Sequence, residues 1–449
     1  MTGLRRRIGI VALALAGIAG VVTAVVWLRG EVGWRPLPVQ PPLISTALDP
    51  AFDDAARKAI AALEAMRVEE GVTGATAAVA IDGALVWAGA AGWSDLEAGT
   101  AMTPDVMTRI GSTSKAMTAT VLARLHDQGV LSMSDTVGDH VAEPLNPKWS
   151  KLQLRQLMSH TAGMPGYSEN SDWLGAIDTI RMQGRYDSVE DGLRLVDGSR
   201  LLFAPGTGFL YSSFDVNLAA LTAEYASGRE FSALIGNEIR APLGLETPLL
   251  ADRGARRNDE ARYYRIRSGD RFKRWPHTDV SQRWPGGGLM ARSRDLVLVA
   301  TAWLDADFLD PETREMFWTP MRLQSGAVNE QNYAMGWRAD RVTSRFGEDR
   351  VPVRIIHHGG VSRGAMSWLA LYPELRMAVA VNINTRTPDF GDFARVEVDI
   401  VRLFAEAAQR TPPFAAPTTT PTPTQPAPRA VSALPKDGRY RHPAGASGS

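Results

Sequence analysis

Strand-like sequence occurs in two places far apart in this chain, and any fold has to accommodate both. Residues 76–81 and 85–91 are short apolar runs joined by Asp82-Gly83, the dipeptide that best supports a tight hairpin turn. The next comparable runs are residues 353–356, 367–371 and 377–382, separated by glycine-containing or Tyr-Pro-Glu turns, as expected for adjacent antiparallel strands. Between the two groups, residues 131–249 show mostly helical patches broken by Gly and Pro, which suits a helical insertion rather than more sheet. Helical periodicity also brackets the strands. Ala56, Ile60, Leu63 and Met66 recur at helical spacing over residues 53–70, and Val396, Ile400, Val401 and Phe404 give residues 393–408 an inward face. The expected class is α/β: an antiparallel β-sheet flanked by N- and C-terminal helices, plus a helical subdomain.

A chain of 449 residues with ordinary apolar and charged fractions can bury a large core. Its 49 basic side chains balance 49 acidic ones, so no net charge draws it to nucleic acid. Cysteine is absent, which removes disulfides, zinc-thiolate sites and cysteine nucleophiles together. No metal or organic cofactor is implied.

The two ends differ from the body. Arg5, Arg6 and Arg7 precede an uncharged, mostly apolar run over residues 8–28. Such a run can cross a bilayer, which takes roughly 20 apolar residues. A cleavable signal peptide has an apolar core of only about 7 to 15 residues and a small-residue cleavage site, and no convincing site precedes Arg29. Residues 1–30 are therefore expected to be an uncleaved signal anchor with its arginines on the cytoplasmic side. The rest would lie in a periplasm or equivalent extracytoplasmic space, held to the cytoplasmic (inner) membrane by a single pass. Residues 31–50 read as a proline-rich linker, 51–410 as the folded body, and 411–449, rich in Pro and Thr, as a disordered tail. Oligomeric state is not encoded in any pattern found.

Three motifs in the body carry chemistry. In Ser112-Thr113-Ser114-Lys115, serine and lysine stand at i and i+3 on one face of a helix expected over residues 112–128 and stopped by Gly129. A serine hydroxyl needs a base, and lysine serves as one only when burial or nearby positive charge lowers its pKa. Taken alone, the pattern also fits a helix N-cap serine followed by a solvated lysine. The second motif, residues 205–213, is a glycine-rich turn ending in Tyr211-Ser212-Ser213. Its phenol can shuttle protons beside Lys115, and Ser213 can hydrogen-bond Lys115 or substrate. The third is His357-His358-Gly359-Gly360-Val361 at the end of an apolar strand, where glycines let substrate approach and leave main-chain N–H groups free for an oxyanion.

Across residues 52–408 the chain resembles the class C β-lactamase, D-Ala-D-Ala carboxypeptidase and esterase superfamily of penicillin-recognising serine hydrolases. Supporting segments are Gly92-Trp93-Ser94-Asp95-Leu96-Glu97, Leu157-Met158-Ser159-His160-Thr161-Ala162-Gly163-Met164-Pro165, Gly286-Gly287-Gly288-Leu289, Ser293-Arg294-Asp295-Leu296 and Leu371-Tyr372-Pro373-Glu374. The resemblance implies Ser112 as nucleophile, Lys115 as its base and Tyr211 as proton shuttle to the leaving group. It further implies an oxyanion hole from the Ser112 and Val361 N–H groups, with Ser213, His358, Gly359 and Gly360 lining the substrate site. The third motif is taken to start at His358, because Gly364 then falls at the family's second glycine. His160 lies in a segment that looks structural in the family, supporting the active-site wall. Two departures stand out. Ser213 replaces the asparagine common in the second motif, and His358 replaces the lysine common in efficient β-lactamases and carboxypeptidases. A largely neutral histidine supplies no reliable charge for a substrate carboxylate, which points toward the esterase, aminopeptidase and peptidase-like branches.

The expected function is acyl transfer from an ester, amide or peptide, as a small molecule or peptide substrate, through a covalent Ser112 intermediate. The Gly-x-Ser-x-Gly elbow and the His-Glu-x-x-His zinc motif are both missing. The competing expectation from another class is a catalytically inactive penicillin-binding-like protein that binds cell-wall peptides or a partner.

Overall fold

The computed structural model describes residues 33–38, 41–181, 184–245, 258–267, 271–276, 278–346 and 349–410, together with Gly17 and Gly20. The rest of the expected anchor, and the tail beyond residue 410, lie outside the described residues. Among those described, no helix is long and apolar enough to cross a membrane.

The two groups of strands meet in one antiparallel, eight-stranded sheet. In chain order its long members are β1 (Leu43–Ala47), β2 (Gly74–Ile81), β3 (Ala84–Asp95), β4 (Arg338–Phe346), β5 (Asp349–Ser362), β6 (Ala365–Tyr372) and β7 (Met377–Ile383). Their order across the sheet is β4-β5-β6-β7-β2-β3-β1, with Thr100–Ala101 pairing off β3. The seam between the distant groups is β7 on β2, in register from Met377↔Ile81 to Ile383↔Ala75. Alternation along β2 then sorts side chains by face. Ala75, Ala77, Val79 and Ile81 pack on one side and Ala78 and Ala80 on the other, so each face carries its own core.

The first face is covered by α1 (Asp53–Glu69) and, at the other end of the chain, by the helix Val396–Ala407. Ala56, Ala59, Leu63 and Met66 of α1 are buried there with Ile400, Val401 and Phe404. The Phe404 ring lies 5.6 Å from those of Phe52 and Trp87, tying both helices to β3. The second face carries α2 (Ser114–Asp127), α3 (Ser213–Ser227), α4 (Ser293–Ala302) and the shorter helices of the middle of the chain. A helical subdomain thus sits on the same face as the three motifs.

Several elements differ from the sequence expectation. Leu43–Ala47, within the segment read as linker, is an edge strand on β3, and Ser45 Oγ accepts from the Trp87 indole at 3.0 Å. Residues 338–346 are a strand without an apolar alternation to announce it, because among the described residues β4 lies at the edge of the sheet against β5 and tolerates Arg338, Asp340 and Arg341. The closing helix is two pieces, Phe390–Ala394 and Val396–Ala407.

One buried charge sits under the C-terminal helix. Glu397 is 2% exposed and faces Tyr372 and the Trp368 indole nitrogen, the latter 3.4 Å from its Oε2. Burial pushes its carboxyl up to about 7, only partly offset by those two donors. A carboxyl raised above its unfolded value stabilises the fold below the unfolded pKa and loses that contribution as pH rises through the folded one. Thermal unfolding followed across pH 4 to 9 should therefore show a decline that begins near the unfolded carboxyl value of 4.5 and levels off just above the folded value of about 7. Glu397→Gln should flatten it and recover roughly 3 kcal/mol at the alkaline end; a profile identical to that of the parent would exclude this assignment.

Candidate active site

Ser112 lies on the tight turn Gly111–Thr113 that leads into α2, and Lys115 is one helical turn on. Gly111 is held at φ 52°, and a Cβ there would come within 2.6 Å of the Val361 nitrogen, so a side chain is excluded on both counts. This close approach is possible because β4 stops at Arg338↔His357 while β5 runs on to Ser362. Past His357 the edge of β5 is covered by the nucleophile's turn instead. Gly360 faces the same turn, where a Cβ would lie 1.8 Å from the Ile110 carbonyl oxygen. The glycines of the third motif thus permit backbone contact between β5 and the Ser112 turn.

Lys115 is fully buried. Its Nζ has three contacts: Gly286 O at 2.5 Å, Ser213 Oγ at 2.9 Å and Ser112 Oγ at 3.4 Å. Burial, followed by the charge of Arg283, lowers its pKa well below the ordinary lysine range, and Asp215 opposes this only in part. A neutral amine has two N–H donors and one lone pair, which matches three contacts. Gly286 O takes one hydrogen, Ser213 Oγ the other, and the lone pair is left for the Ser112 hydroxyl. The carbonyl of Gly286 is itself fixed, since Asn217 Oδ1 accepts the Gly286 N–H at 2.9 Å and Thr118 donates to Pro285 O at 2.7 Å.

Tyr211 precedes α3, whose N-cap Ser212 accepts from Phe214 N at 3.1 Å and donates to Pro165 O at 2.7 Å. Its ring stands 4.7 Å from Lys115 Nζ, and the hydroxyls of Ser112 and Tyr333 both favour the ionised form of its phenol. Burial pushes this phenol up to about 12, so it is protonated at neutral pH. His160 packs beneath, its ring 4.3 Å from Tyr211 and 4.5 Å from Tyr333. His160 has the left-handed φ of 61° and is fully buried, a strained position of the kind that surrounding packing must enforce.

His358 is buried on the site's face, with Nε2 2.9 Å from the Tyr333 hydroxyl. Burial and then the charge of Arg338 push it well below the usual imidazole range, so it carries no charge. His357 differs: its Nε2 lies 2.8 Å from Asp340 and its ring 4.8 Å from Trp368. Ser112, Lys115, Tyr211, Ser213 and His358 therefore share one cluster, with the backbones of Gly360 and Val361 against the Ser112 turn. Gly359 lies on the same strand, where a Cβ would meet the Phe390 ring at 2.3 Å.

The sequence reading did not assign roles to Gly286, Asn217, Asp215, Tyr333, Arg283 or Arg338. Asn217 and Asp215 had an available signal, one turn or less beyond Ser213 on the same helix. Tyr333 and Arg338 had none, being set by β4 and the loop before it.

Fold and cluster together define a β-lactamase-like serine hydrolase. The family profile described as Beta-lactamase matches residues 56–402, and the chain belongs to that family. The serine beta-lactamase-like protein LACTB, mitochondrial, of Bos taurus is 24% identical over 401 residues, covering 71% of this chain and 72% of that protein. Esterase EstB of Burkholderia gladioli is 28% identical over 212 residues, 45% of this chain and 50% of the esterase. Among solved structures, a D-stereospecific amidohydrolase from Streptomyces sp. matches with a TM-score of 0.61 at 24% identity, covering 75% of this chain and 97% of that one. The octameric penicillin-binding protein homologue from Pyrococcus abyssi matches with a TM-score of 0.62 at 20% identity, covering 79% and 78%.

With the Lys115 amine as the expected base, activity should fall on the acid side as Lys115 takes up a proton, at a pH well under the ordinary lysine value. Lys115→Arg places a permanent cation in the same cavity and should lower kcat/KM by roughly 10³-fold at every pH. A pH–rate series on both proteins checks this; an arginine variant with parental activity would remove Lys115 as the base.

Proposed function

We propose that this chain hydrolyses ester, amide or peptide bonds through a covalent Ser112 acyl-enzyme. The observation that carries this reading is the buried amine of Lys115, with two hydrogens committed and its remaining valence turned to Ser112. Ser112 Oγ attacks the substrate carbonyl while its proton passes to Lys115 Nζ. The resulting oxyanion is bound by the main-chain N–H groups of Ser112 and Val361. Collapse breaks the bond to the leaving group, which takes the Tyr211 proton, and the Lys115 ammonium restores it. Water then repeats the sequence on the ester of Ser112.

Neutral His358 and the serine at position 213 favour ester and amide substrates over β-lactam antibiotics. The names of EstB and of the Streptomyces amidohydrolase lie on the same side. A fluorophosphonate probe should label the protein at Ser112, and Ser112→Ala should abolish labelling together with hydrolysis of short-chain nitrophenyl esters. Undiminished labelling at another serine would refute the proposal.

The apolar run after Arg5-Arg6-Arg7 supports a tether to the cytoplasmic membrane with the hydrolase on its outer side. The full chain should sediment with membranes and resist carbonate extraction, whereas a chain beginning at residue 33 should be released. Carbonate-soluble full-length protein would contradict the tether.

A further inference from the structure

The mechanism above leaves two polar groups of the cluster unused: the hydroxyl of Tyr333 and the ring of His358. Their proton positions follow from the geometry. His358 Nδ1 lies 2.7 Å from the carbonyl oxygen of Gly359, which only accepts, so Nδ1 carries the ring's proton. In a neutral imidazole this leaves Nε2 as an acceptor, and the Tyr333 hydroxyl, 2.9 Å away, donates to it. At rest Tyr333 has therefore committed its only proton to His358. Its ring stands edge-on to that of Tyr211, centroids 5.8 Å apart at 77°, and its hydroxyl favours the ionised form of Tyr211. Tyr333 is fully buried. Asn329 clamps its main chain, accepting from the Tyr333 N–H at 2.9 Å and donating to its carbonyl at 2.7 Å. The Arg338 guanidinium lies 5.9 Å from the Tyr211 ring centroid and 5.7 Å from that of Tyr333.

We infer that Tyr333 is a positioning residue for the proton shuttle: bonded to His358 Nε2 at rest, it turns to donate to the Tyr211 oxygen when Tyr211 protonates the leaving group. This rests on the acyl-enzyme reading above. The step balances as follows. The bond between the carbonyl carbon and the leaving group breaks, its electron pair goes to the leaving oxygen or nitrogen, and that atom takes the Tyr211 proton. The phenolate left behind is held by the Tyr333 O–H and by the positive field of Arg338. It is then reprotonated by the Lys115 ammonium, which carries the proton taken from Ser112. His358 Nε2 loses and regains a hydrogen bond without changing its protonation state. Without such a donor, a phenol buried this deeply is a poor acid, its pKa being pushed up to about 12.

A role of this kind depends on the leaving group, whereas a purely structural role does not. Tyr333→Phe in the full chain should lower kcat for alkyl esters, whose alkoxide must be protonated as it leaves, by about 10- to 100-fold with little change in KM. Nitrophenyl esters, whose leaving group departs as an anion, should stay within about twofold of the parent. Equal losses on both substrates, or none on alkyl esters, would overturn the inference. Residual turnover in Ser112→Ala run beside it would instead count against the acyl-enzyme reading, so the two failures are distinguishable. Fluorophosphonate labelling of Ser112 reports whether Tyr333→Phe is assembled. Should it not label, His358→Leu decides from the other end. With no acceptor at Nε2, Tyr333 donates to Tyr211 permanently, and the alkaline limb of kcat for alkyl esters should move to lower pH. An unmoved limb overturns the inference.

Discussion

A lysine amine held without charge in the interior is the constraint around which the rest of this protein is arranged. An ammonium ion at the position of Lys115 would bear a desolvation penalty of several kcal/mol. Burial outweighs the contacts it makes, and its pKa falls well below the ordinary lysine range, which suits the amine to act as a base. Keeping it there takes three parts of the chain at once. The helix Ser114–Asp127 supplies the amine, the N-terminus of Ser213–Ser227 brings Ser213, and the turn Trp284–Gly287 brings a carbonyl fixed through Asn217. Gly286 has to be a glycine for this, because a Cβ would meet Ser213 O at 2.7 Å and Asn217 Oδ1 at 2.9 Å.

The sheet contributes an edge rather than a face to the reaction. Pairing of β4 with β5 ends at His357, and the remaining residues of β5 face the Ser112 turn in place of another strand. Main chain left without a partner strand is a liability at a sheet edge; here the Ser112 turn covers it, with Gly111 against Val361 and Gly360 against Ile110. The two cores have separate tasks. The one formed by α1, the C-terminal helix and the sheet secures the seam between β2 and β7. The other carries the helical subdomain and thereby Tyr211, His160 and Ser213.

What could be read from the sequence follows from how local each determinant is. The hairpin at Asp82-Gly83, the helix ending at Asp127 before Gly129 and the relation of Ser112 to Lys115 are set by neighbours within a few residues, and they stand as expected. The strands around the His358 segment were legible because they are largely buried on both faces and therefore mostly apolar, Arg354, Ser367 and Asn382 apart. β4 was not, since an edge strand has no need of apolar alternation. Leu43–Ala47 was hidden among prolines, and its pairing with β3 depends on the far end of a hairpin. Tyr333 and Arg338 were silent for another reason: their meaning comes only from approaching Tyr211 and His358 across the cleft. That Lys115 needs burial or nearby positive charge to act as a base was legible from its chemistry alone. The structure adds Asp215, a carboxylate from another helix that acts on it electrostatically.

That carboxylate does not recharge the site, and the proton count explains why. His160 Nδ1 receives the Ser212 N–H at 3.3 Å, so it presents a lone pair, and Asp215 Oδ2 lies 3.1 Å from the same atom. Two acceptors cannot bond to each other, so the proton between them belongs to Asp215. This agrees with burial raising the Asp215 carboxyl well above its ordinary range and lowering His160 well below its own. Burial thus works against the charged forms of Lys115, His160, Asp215, His358 and Tyr211 alike, while Arg283 and Arg338 act on the lysine from the margin as cations. A neutral interior bordered by fixed positive charge disfavours a further cation and favours an anion. The groups that become negative during acyl transfer, the substrate oxygen and briefly the Tyr211 phenolate, are therefore the ones this environment is arranged to stabilise.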